Sequence, residues 1–101
     1  MNTELSDIKI AHNTSAQQYE ARIDRHLAVA EYSQSGNTIT FTHTFVPPAL
    51  RGRGIASKLI QTALEEARSE ELIVVPLCSF VASYIRRHPE YASLLSPNAR
   101  G

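Results

Sequence analysis

The sequence has little of several residues that would mark a common class of protein. Its single cysteine excludes an internal disulfide bond, and no cysteine and histidine have the spacing of a zinc site, so no metal is expected. No apolar run approaches the roughly 20 residues that a membrane-spanning helix needs. The first residues lack a basic segment followed by an apolar one, so we expect no signal peptide and a cytoplasmic location.

Net charge is also absent, because ten basic residues balance ten acidic ones. No overall field therefore attracts nucleic acid or an anionic membrane. With 43% hydrophobic and 20% charged residues, the 101-residue chain is typical of one globular domain with a modest core. We expect that domain to span residues 1–101, with the polar residues 1–7 loosely held.

Most of the first half of the chain alternates apolar and polar residues with the period of β-strands, and residues 26–32 form a mostly apolar run that indicates a strand covered on both faces. Strands are predicted at residues 8–12, 18–23, 26–32 and 38–46, with turns at 13–16, 24–25 and 33–37. In the last of these strands, Ile39, Phe41, His43 and Phe45 are predicted to share one face. The short turns between consecutive strands indicate an antiparallel meander of about four strands.

Helical spacing begins after residues 51–54, and apolar residues recur every three or four positions up to about Ser69. A buried strand follows at residues 72–75, and Ser79 is predicted to cap a second helix over residues 80–87, which Pro89 ends. The predicted fold class is therefore α+β: the meander, then a β-α-β unit, then a short C-terminal helix. Parallel strands end at one edge of a sheet, so the 51–54 loop and Cys78 should meet there.

The loop between the fourth strand and the first helix reads RGRG. Pro47 and Pro48 end the strand, since neither can donate a hydrogen bond to a sheet. Glycines then allow a ligand close to the backbone, and the free N–H groups of the helix point at it, which favours a phosphate-bearing ligand. A Walker A loop is excluded because no Lys-Ser or Lys-Thr follows at the required spacing, and a dinucleotide fingerprint fails because the next strand lacks a terminal acid.

The motif RGRGIA at residues 51–56 resembles the R/Q-x-x-G-x-G/A acetyl-CoA loop of the GNAT superfamily of N-acetyltransferases. The motifs PLCSFVA at 76–82 and RHPEY at 87–91 are similar to those of small single-domain GNAT-like proteins of the YjdJ type, and the resemblance extends over residues 8–95. It implies a minimal GNAT-like fold that moves an acetyl group from acetyl-CoA to an amine of an exposed acceptor, including a protein. The implied cofactor-binding residues are Val46, Arg51, Gly52, Arg53, Gly54, Ile55, Ala56, Ser57 and Arg87.

Three residues are candidates for the chemistry of acetyl transfer, and each also has an ordinary structural interpretation. Cys78 is either a reactive thiol beside the thioester, favoured as thiolate by the start of the next helix, or a small buried hydrophobe. His43 is either a general base for the amine or a histidine of the core. Tyr84 either protonates the leaving thiolate of CoA or packs half-buried on its helix.

Two functions of different kinds remain open at this point. The first is an acetyl-CoA-dependent N-acetyltransferase; the second is a CoA-binding or partner-binding module with weak or no catalysis. The resemblance departs from larger family members because no helices precede the strands to cover an acceptor, and the last helix lacks the N-x-x-A-x-x-x-Y spacing. Nucleic-acid binding is disfavoured by the zero net charge.

Overall fold

The alternating first half of the chain folds into the predicted antiparallel meander. The computed structural model describes residues 8–96, in which five strands form one sheet in the order of the sequence. The strands are β1 (Ile10–Asn13), β2 (Gln18–Ile23), β3 (His26–Ser35), β4 (Thr38–Phe45) and β5 (Ile73–Pro76). The first four pair antiparallel with their neighbours, and β5 runs parallel to β4. The prediction for residues 1–7 lies outside the described residues.

Two α-helices form a single layer on one face of this sheet. They are α1 (Ile55–Ser69) and α2 (Ser79–Arg87), and short 3-10 helices lie at Pro48–Leu50 and Pro89–Leu94. The two α-helices contact each other as well as the sheet, so they lie on the same side of it. The α+β class and the parallel β4–α1–β5 unit are confirmed. The other side, which we call the open face, has no helix packed on it among residues 8–96.

The apolar stripe of α1 forms the centre of the core. Its buried members repeat at helical spacing, as the sequence predicts: Ile55, Leu59, Ile60, Ala63, Leu64 and Ala67. They pack in one cluster with the inward residues of the sheet, among them Ile39, Phe41 and Val74. Each leucine or isoleucine buried in this way stabilises the fold by about 1.5–3 kcal/mol. No described helix is both long and apolar enough to cross a membrane.

A polar cluster ties the other end of α1 to three strands. His12 of β1 contacts Glu66 of α1 through Nδ1 at 3.0 Å and the hydroxyl of Tyr32 through Nε2 at 2.6 Å. Tyr19 donates its hydroxyl hydrogen to the same carboxylate oxygen at 3.1 Å and stacks on His12 with ring centres 4.0 Å apart. Because Tyr19 and Tyr32 are buried, these contacts satisfy polar groups that would otherwise destabilise the core.

The bounds of β4 and β5 differ from the prediction by one residue, and those of β1 and β3 differ for local reasons. β1 begins at Ile10 rather than residue 8, because Ile8 is buried outside the strand, and it continues to Asn13, which pairs with Gln18. β3 continues to Ser35, so residues 33–35 are strand and not turn. Gly36, with φ of 58°, lets a two-residue turn join β3 to β4 and leaves the preceding serines free to pair.

A β-bulge in β4 overturns the predicted face of His43. Tyr32 pairs with Phe41 but Glu31 pairs with His43, so Thr42 is an extra residue with no partner on β3. After this extra residue, the β4 residues that face the core and those that face solvent are shifted by one position. His43 and Phe45 are therefore exposed, while Thr44 is partly buried; the core interpretation of His43 is wrong.

The second helix begins one residue earlier than predicted, at Ser79. Cys78, not Ser79, occupies the N-cap position, and its backbone is extended and not helical (φ −69°, ψ 126°). Further along, Leu95 forms a parallel bridge with Val74, and the N–H of Ser96 donates to the carbonyl of Val74 at 3.3 Å. The outer side of β5 therefore has a short stretch of chain beside it.

The tyrosine contacts predict how stability depends on pH. Burial, then the charge of Glu66 and the hydrogen bond to it, raises the pKa of Tyr19 far above its ordinary value of 10.0. Above pH 10 the unfolded chain loses the Tyr19 proton while the folded chain keeps it, so the free energy of unfolding falls by up to about 1.4 kcal/mol per pH unit from this group alone.

Tyr19→Phe tests this coupling, because phenylalanine has no proton to lose. We expect urea denaturation between pH 8 and 11 to give a shallower alkaline loss of stability for the variant than for the native protein. Equal slopes for the two proteins would contradict the proposed coupling between Tyr19 and Glu66.

Candidate functional site

The candidate site opens where β4 and β5 stop pairing. Their last paired residues are Phe41 and Pro76, and the N–H of Cys78 then donates to the carbonyl of Phe41 at 2.9 Å. Thr42, the bulge residue, follows at once on β4, and β5 ends. Backbone pairing between the two strands therefore stops at this point, and a bulge bends the strand that contains it. This point lies at the carboxyl ends of two parallel strands, the edge where open sheets bind ligands.

The loop after β4 presents the N-terminus of α1 to this edge. Gly52 and Gly54 have φ values of 82° and 76°, in the left-handed region that other residues adopt only at a cost. Gly54 is the N-cap of α1 and no side chain caps the helix. The first N–H groups of a helix have no partner within it, so they are available to an anion. A Cβ built at Gly52 would meet no atom within 4 Å, so the loop backbone faces open space there.

Arg51 holds the loop against the end of β4. Its Nε donates to the carbonyl of Val46 at 3.1 Å, and the 3-10 helix Pro48–Leu50 bridges the two. Leu50 is buried in the core and anchors this helix. The guanidinium groups of Arg51 and Arg53 stay at the surface and add positive charge beside the free N–H groups.

A cavity of about 220 Å³ connects the loop to the start of α2. It is lined by Val46, Leu50, Arg51, Gly52, Gly54, Ile55, Ala56, Ser57 and Phe80. Seven of the predicted cofactor-binding residues are therefore together, whereas Arg53 is not in the lining. Sequence reasoning missed Leu50 and Phe80. The position of Phe80 in the first turn of a helix that starts at the same sheet edge is the signal that identifies it.

Arg87 lies at the far end of α2. It is exposed and does not line the cavity. A helix rises about 1.5 Å per residue, so Arg87 is roughly 12 Å along the helix from Ser79. Its contact with a cofactor stays a prediction.

Cys78 lies just after the point where β4 and β5 stop pairing. Its Sγ is 3.4 Å from Oγ1 of Thr44, and either atom can be the donor. The residue is partly buried and free of any disulfide bond. Val46 and Phe80, two residues beyond Thr44 and Cys78 respectively, line the cavity. The thiol is thus two residues along the chain from the cavity wall, which the glycine loop also forms.

His43 directly precedes Thr44 on β4 but lies on the open face of the sheet. Its backbone pairs with Glu31 on β3, so its imidazole and that carboxylate are cross-strand neighbours. Both His43 and the adjacent Thr42 are exposed. The imidazole of His43 is therefore accessible from the open face, one residue before Thr44.

Tyr84 has its described contacts in the core. It is 5% exposed, and its ring stacks on His88 with centres 4.0 Å apart. Burial, then the charge of Glu90, raises the pKa of its phenol, so it carries its proton at neutral pH. This environment is that of helix packing, and its role as an acid stays a prediction. Within residues 8–96 no group of three acidic, histidine or cysteine side chains could hold a metal ion.

Comparison with known proteins agrees with this geometry. The family model described as GCN5-related N-acetyl-transferase matches residues 18–94. The protein NATD1 of Xenopus tropicalis is 32% identical over 98 residues, covering 91% of this chain and 89% of the frog protein. Human NATD1 is 33% identical over 95 residues, covering 89% of this chain and 84% of its own.

A solved structure has the same fold. The NMR solution structure of a GCN5-like protein from Staphylococcus aureus superposes with a TM-score of 0.71, at 26% identity and with 90% of each chain covered. The narrower resemblance to the YjdJ type stays a prediction. A parallel strand pair whose ladder ends early, a glycine-rich helix start and a family match over most of the sequence give one conclusion: the chain belongs to the GCN5-related N-acetyltransferases.

Proposed function

We propose that this protein is an acetyl-CoA-dependent N-acetyltransferase that acts on an amine of an exposed acceptor, such as one carried on a protein. The observation that carries the proposal is the cavity that the glycine loop and the α1 N-terminus share with Val46 and Phe80, which lie two residues beyond the Thr44–Cys78 contact. The loop side of this cavity suits the pyrophosphate of CoA, and the side toward Val46 and Phe80 suits the arm that carries the thioester. Family membership supports acetyl transfer in general.

The residues present fit the proposed cofactor. The N–H groups at the start of α1 and the charges of Arg51 and Arg53 would hold the pyrophosphate. The apolar walls formed by Val46, Leu50 and Phe80 would contact the pantetheine arm. Acetyl-CoA supplies the activated acetyl group, and a free thiol beside the thioester suits a reducing compartment such as the cytoplasm.

Two routes for the acetyl group use Cys78 differently. In the first, the Cys78 thiolate attacks the thioester carbonyl and expels CoA as its thiolate, and the acceptor amine then attacks the acetyl-cysteine and restores the thiol. In the second, the amine attacks the thioester directly and Cys78 only lines the site. In both, the amine must lose a proton, for which we propose His43 as the base because it is exposed beside Thr44.

The second candidate function is a CoA-binding module without catalysis. It is favoured by one observation: the cofactor loop is well formed while the proposed acid Tyr84 is buried in core contacts. Release of free CoA thiol from acetyl-CoA, measured with and without pooled amines and peptides, separates the two. Release that requires both protein and amine selects the transferase, whereas binding without release selects the module.

Gly52→Ala should weaken cofactor binding more than it weakens the fold. The left-handed backbone at Gly52 costs alanine about 1–2 kcal/mol, and the new Cβ would stand in the open space proposed for the cofactor. Acetyl-CoA at about 100 times its Kd should stabilise the native protein by roughly 2.7 kcal/mol, seen as a rise in Tm, and this rise should be lost in the variant.

Gly36→Ala is the matched control for this measurement. Gly36 also has a positive φ, of 58°, and a Cβ there also meets nothing within 4 Å, but it lies in the β3–β4 turn. Both variants should therefore start with a lowered Tm, and only Gly36→Ala should keep the full rise with acetyl-CoA. Equal rises in the two variants would show that the loop does not hold the cofactor.

His43→Ala should lower kcat by about 100-fold and leave the Tm rise with acetyl-CoA unchanged, because a base acts in the chemical step. The variant should fold normally, since His43 is exposed. His26→Ala is the control histidine, at the start of β3, and should retain native turnover. Native turnover in folded His43→Ala would remove His43 from the mechanism.

Cys78→Ser separates the two routes. If the acetyl group passes through Cys78, turnover should fall by orders of magnitude while the Tm rise with CoA persists, because serine keeps the volume but has no activating base. Intact-mass measurement of the native protein with acetyl-CoA alone should then show one added acetyl group that the variant lacks and that an amine removes. Near-normal turnover in Cys78→Ser would establish direct attack by the amine.

A further inference from the structure

Two large apolar side chains are exposed in the described part of the chain, and both flank the point where Thr44 meets Cys78. Phe45 is 44% exposed and follows Thr44; Leu77 is 70% exposed and precedes Cys78. The Thr44 hydroxyl is 3.4 Å from the Cys78 thiol. Phe45 and Leu77, as the chain neighbours of these two residues, therefore lie on either side of this contact. We call Phe45 and Leu77 the apolar lip.

The backbone holds both side chains outward. The bulge at Thr42 shifts the alternation of β4, so that Phe45 lies on the open face, where it pairs across the sheet with Val29 of β3. The N–H of Leu77 donates to the carbonyl of Val75 at 3.2 Å, which makes a tight turn over Pro76 and leaves Leu77 at the surface. Exposure of the lip therefore follows from backbone features at the point where the pairing of β4 with β5 ends.

The two chain segments that carry the lip are uncharged. Residues 42–50 and 72–85 contain no aspartate, glutamate, lysine or arginine. Charges on neighbouring elements are those of Glu31, opposite His43, of Glu20, which pairs with Val29 opposite Phe45, and of Arg51, whose Nε donates to the carbonyl of Val46. The carboxylate of Glu31 beside the imidazole of His43 suits one ammonium group, and the apolar lip suits apolar side chains next to that ammonium. The lip itself offers no charged partner to the residues on either side of the amine.

The open face around the lip is not enclosed, and this indicates a large acceptor. Among residues 8–96 no helix covers the open face, and Phe45, Leu77 and Cys78 do not line the cavity of the loop. Small ligands bind in concave sites that bury most of their surface. Two exposed side chains on an open sheet instead suit a polypeptide, which contacts a wide surface and gains most from a few apolar anchors.

We propose that the acceptor is a polypeptide amine with large apolar residues on both sides of the amine-bearing residue, which contact Phe45 and Leu77 while the amine reaches Cys78. This inference rests on the proposed acetyl transfer and names its substrate class. It also explains why the exposed apolar side chains of the described chain occur together at this edge.

Binding is tested separately from turnover. Three fluorescein-labelled heptapeptides carry one central lysine flanked by leucine and phenylalanine, by glycines, or by aspartates. Their affinity for the CoA-saturated protein is measured by fluorescence anisotropy, and their kcat/KM by thiol release from acetyl-CoA. We expect the apolar-flanked peptide to bind at least tenfold more tightly than the other two and, where transfer occurs, to have the highest kcat/KM.

Variants of the lip identify the contact. Phe45→Ser and Leu77→Ser should each reduce the preference for the apolar peptide to less than threefold, with the Tm rise on adding CoA unchanged. Leu77→Met should retain the preference, because methionine keeps the apolar contact. Equal affinity of the native protein for the three peptides, or a preference that survives both serine variants, would overturn the proposal.

The remaining outcomes distinguish the lip from acetyl transfer and from a contact between two copies of the chain. Apolar-selective binding without thiol release would support the lip and contradict acetyl transfer. Thiol release from all three peptides at equal kcat/KM would support transfer and contradict the lip. If sedimentation shows a dimer of the native protein that Leu77→Ser converts to a monomer, the lip is a contact between two copies of this chain and the acceptor proposal is wrong.

Discussion

The site depends on where one backbone ladder ends. The hydrogen bond from the N–H of Cys78 to the carbonyl of Phe41 is the last link between β4 and β5, and the bulge at Thr42 follows directly. If the ladder continued, Cys78 would be an ordinary strand residue. Because it stops, the Cys78 thiol contacts the Thr44 hydroxyl at one edge of the sheet, and Val46 and Phe80, two residues further along each segment, line the cavity. The positions of these side chains are therefore set by main-chain geometry.

Helix α1 connects this edge to the rest of the fold. Its N-terminus presents free N–H groups to the cavity, while its apolar stripe forms the core and Glu66 near its C-terminus contacts His12 and Tyr19. A helix fixed at both the core and the distal strands cannot tilt without loss of buried area and of hydrogen bonds to a carboxylate. The glycine loop at residues 51–54 is consequently held in place by contacts far from it. This rigidity reduces the ordering that a ligand must impose on binding.

Much of this arrangement could be predicted from the sequence, and the failures have physical causes. Alternation and helical spacing are local patterns, so the meander, α1 and β5 were predictable, and so was the loop, whose glycines have a specific backbone use. The face of His43 was not, because a bulge adds one residue to one strand only, and the register that reveals it belongs to the pair. Phe80 was missed because its place in the cavity depends on the packing of α2 beside α1. The exposure of Leu77 likewise depends on a turn over Pro76, which periodicity does not predict.

The short segment beside β5 has a consequence for how molecules of this protein meet. A sheet that ends in a bare strand offers unpaired backbone groups, which can recruit the strand of another chain and lead to aggregation. Leu95 and Ser96 occupy that side of Val74, and at the opposite margin β1 has only four residues. Both margins of the sheet are thus poor templates for strand addition. Among residues 8–96, intermolecular pairing therefore has little unpaired backbone to extend beside Val74 or along the four residues of β1.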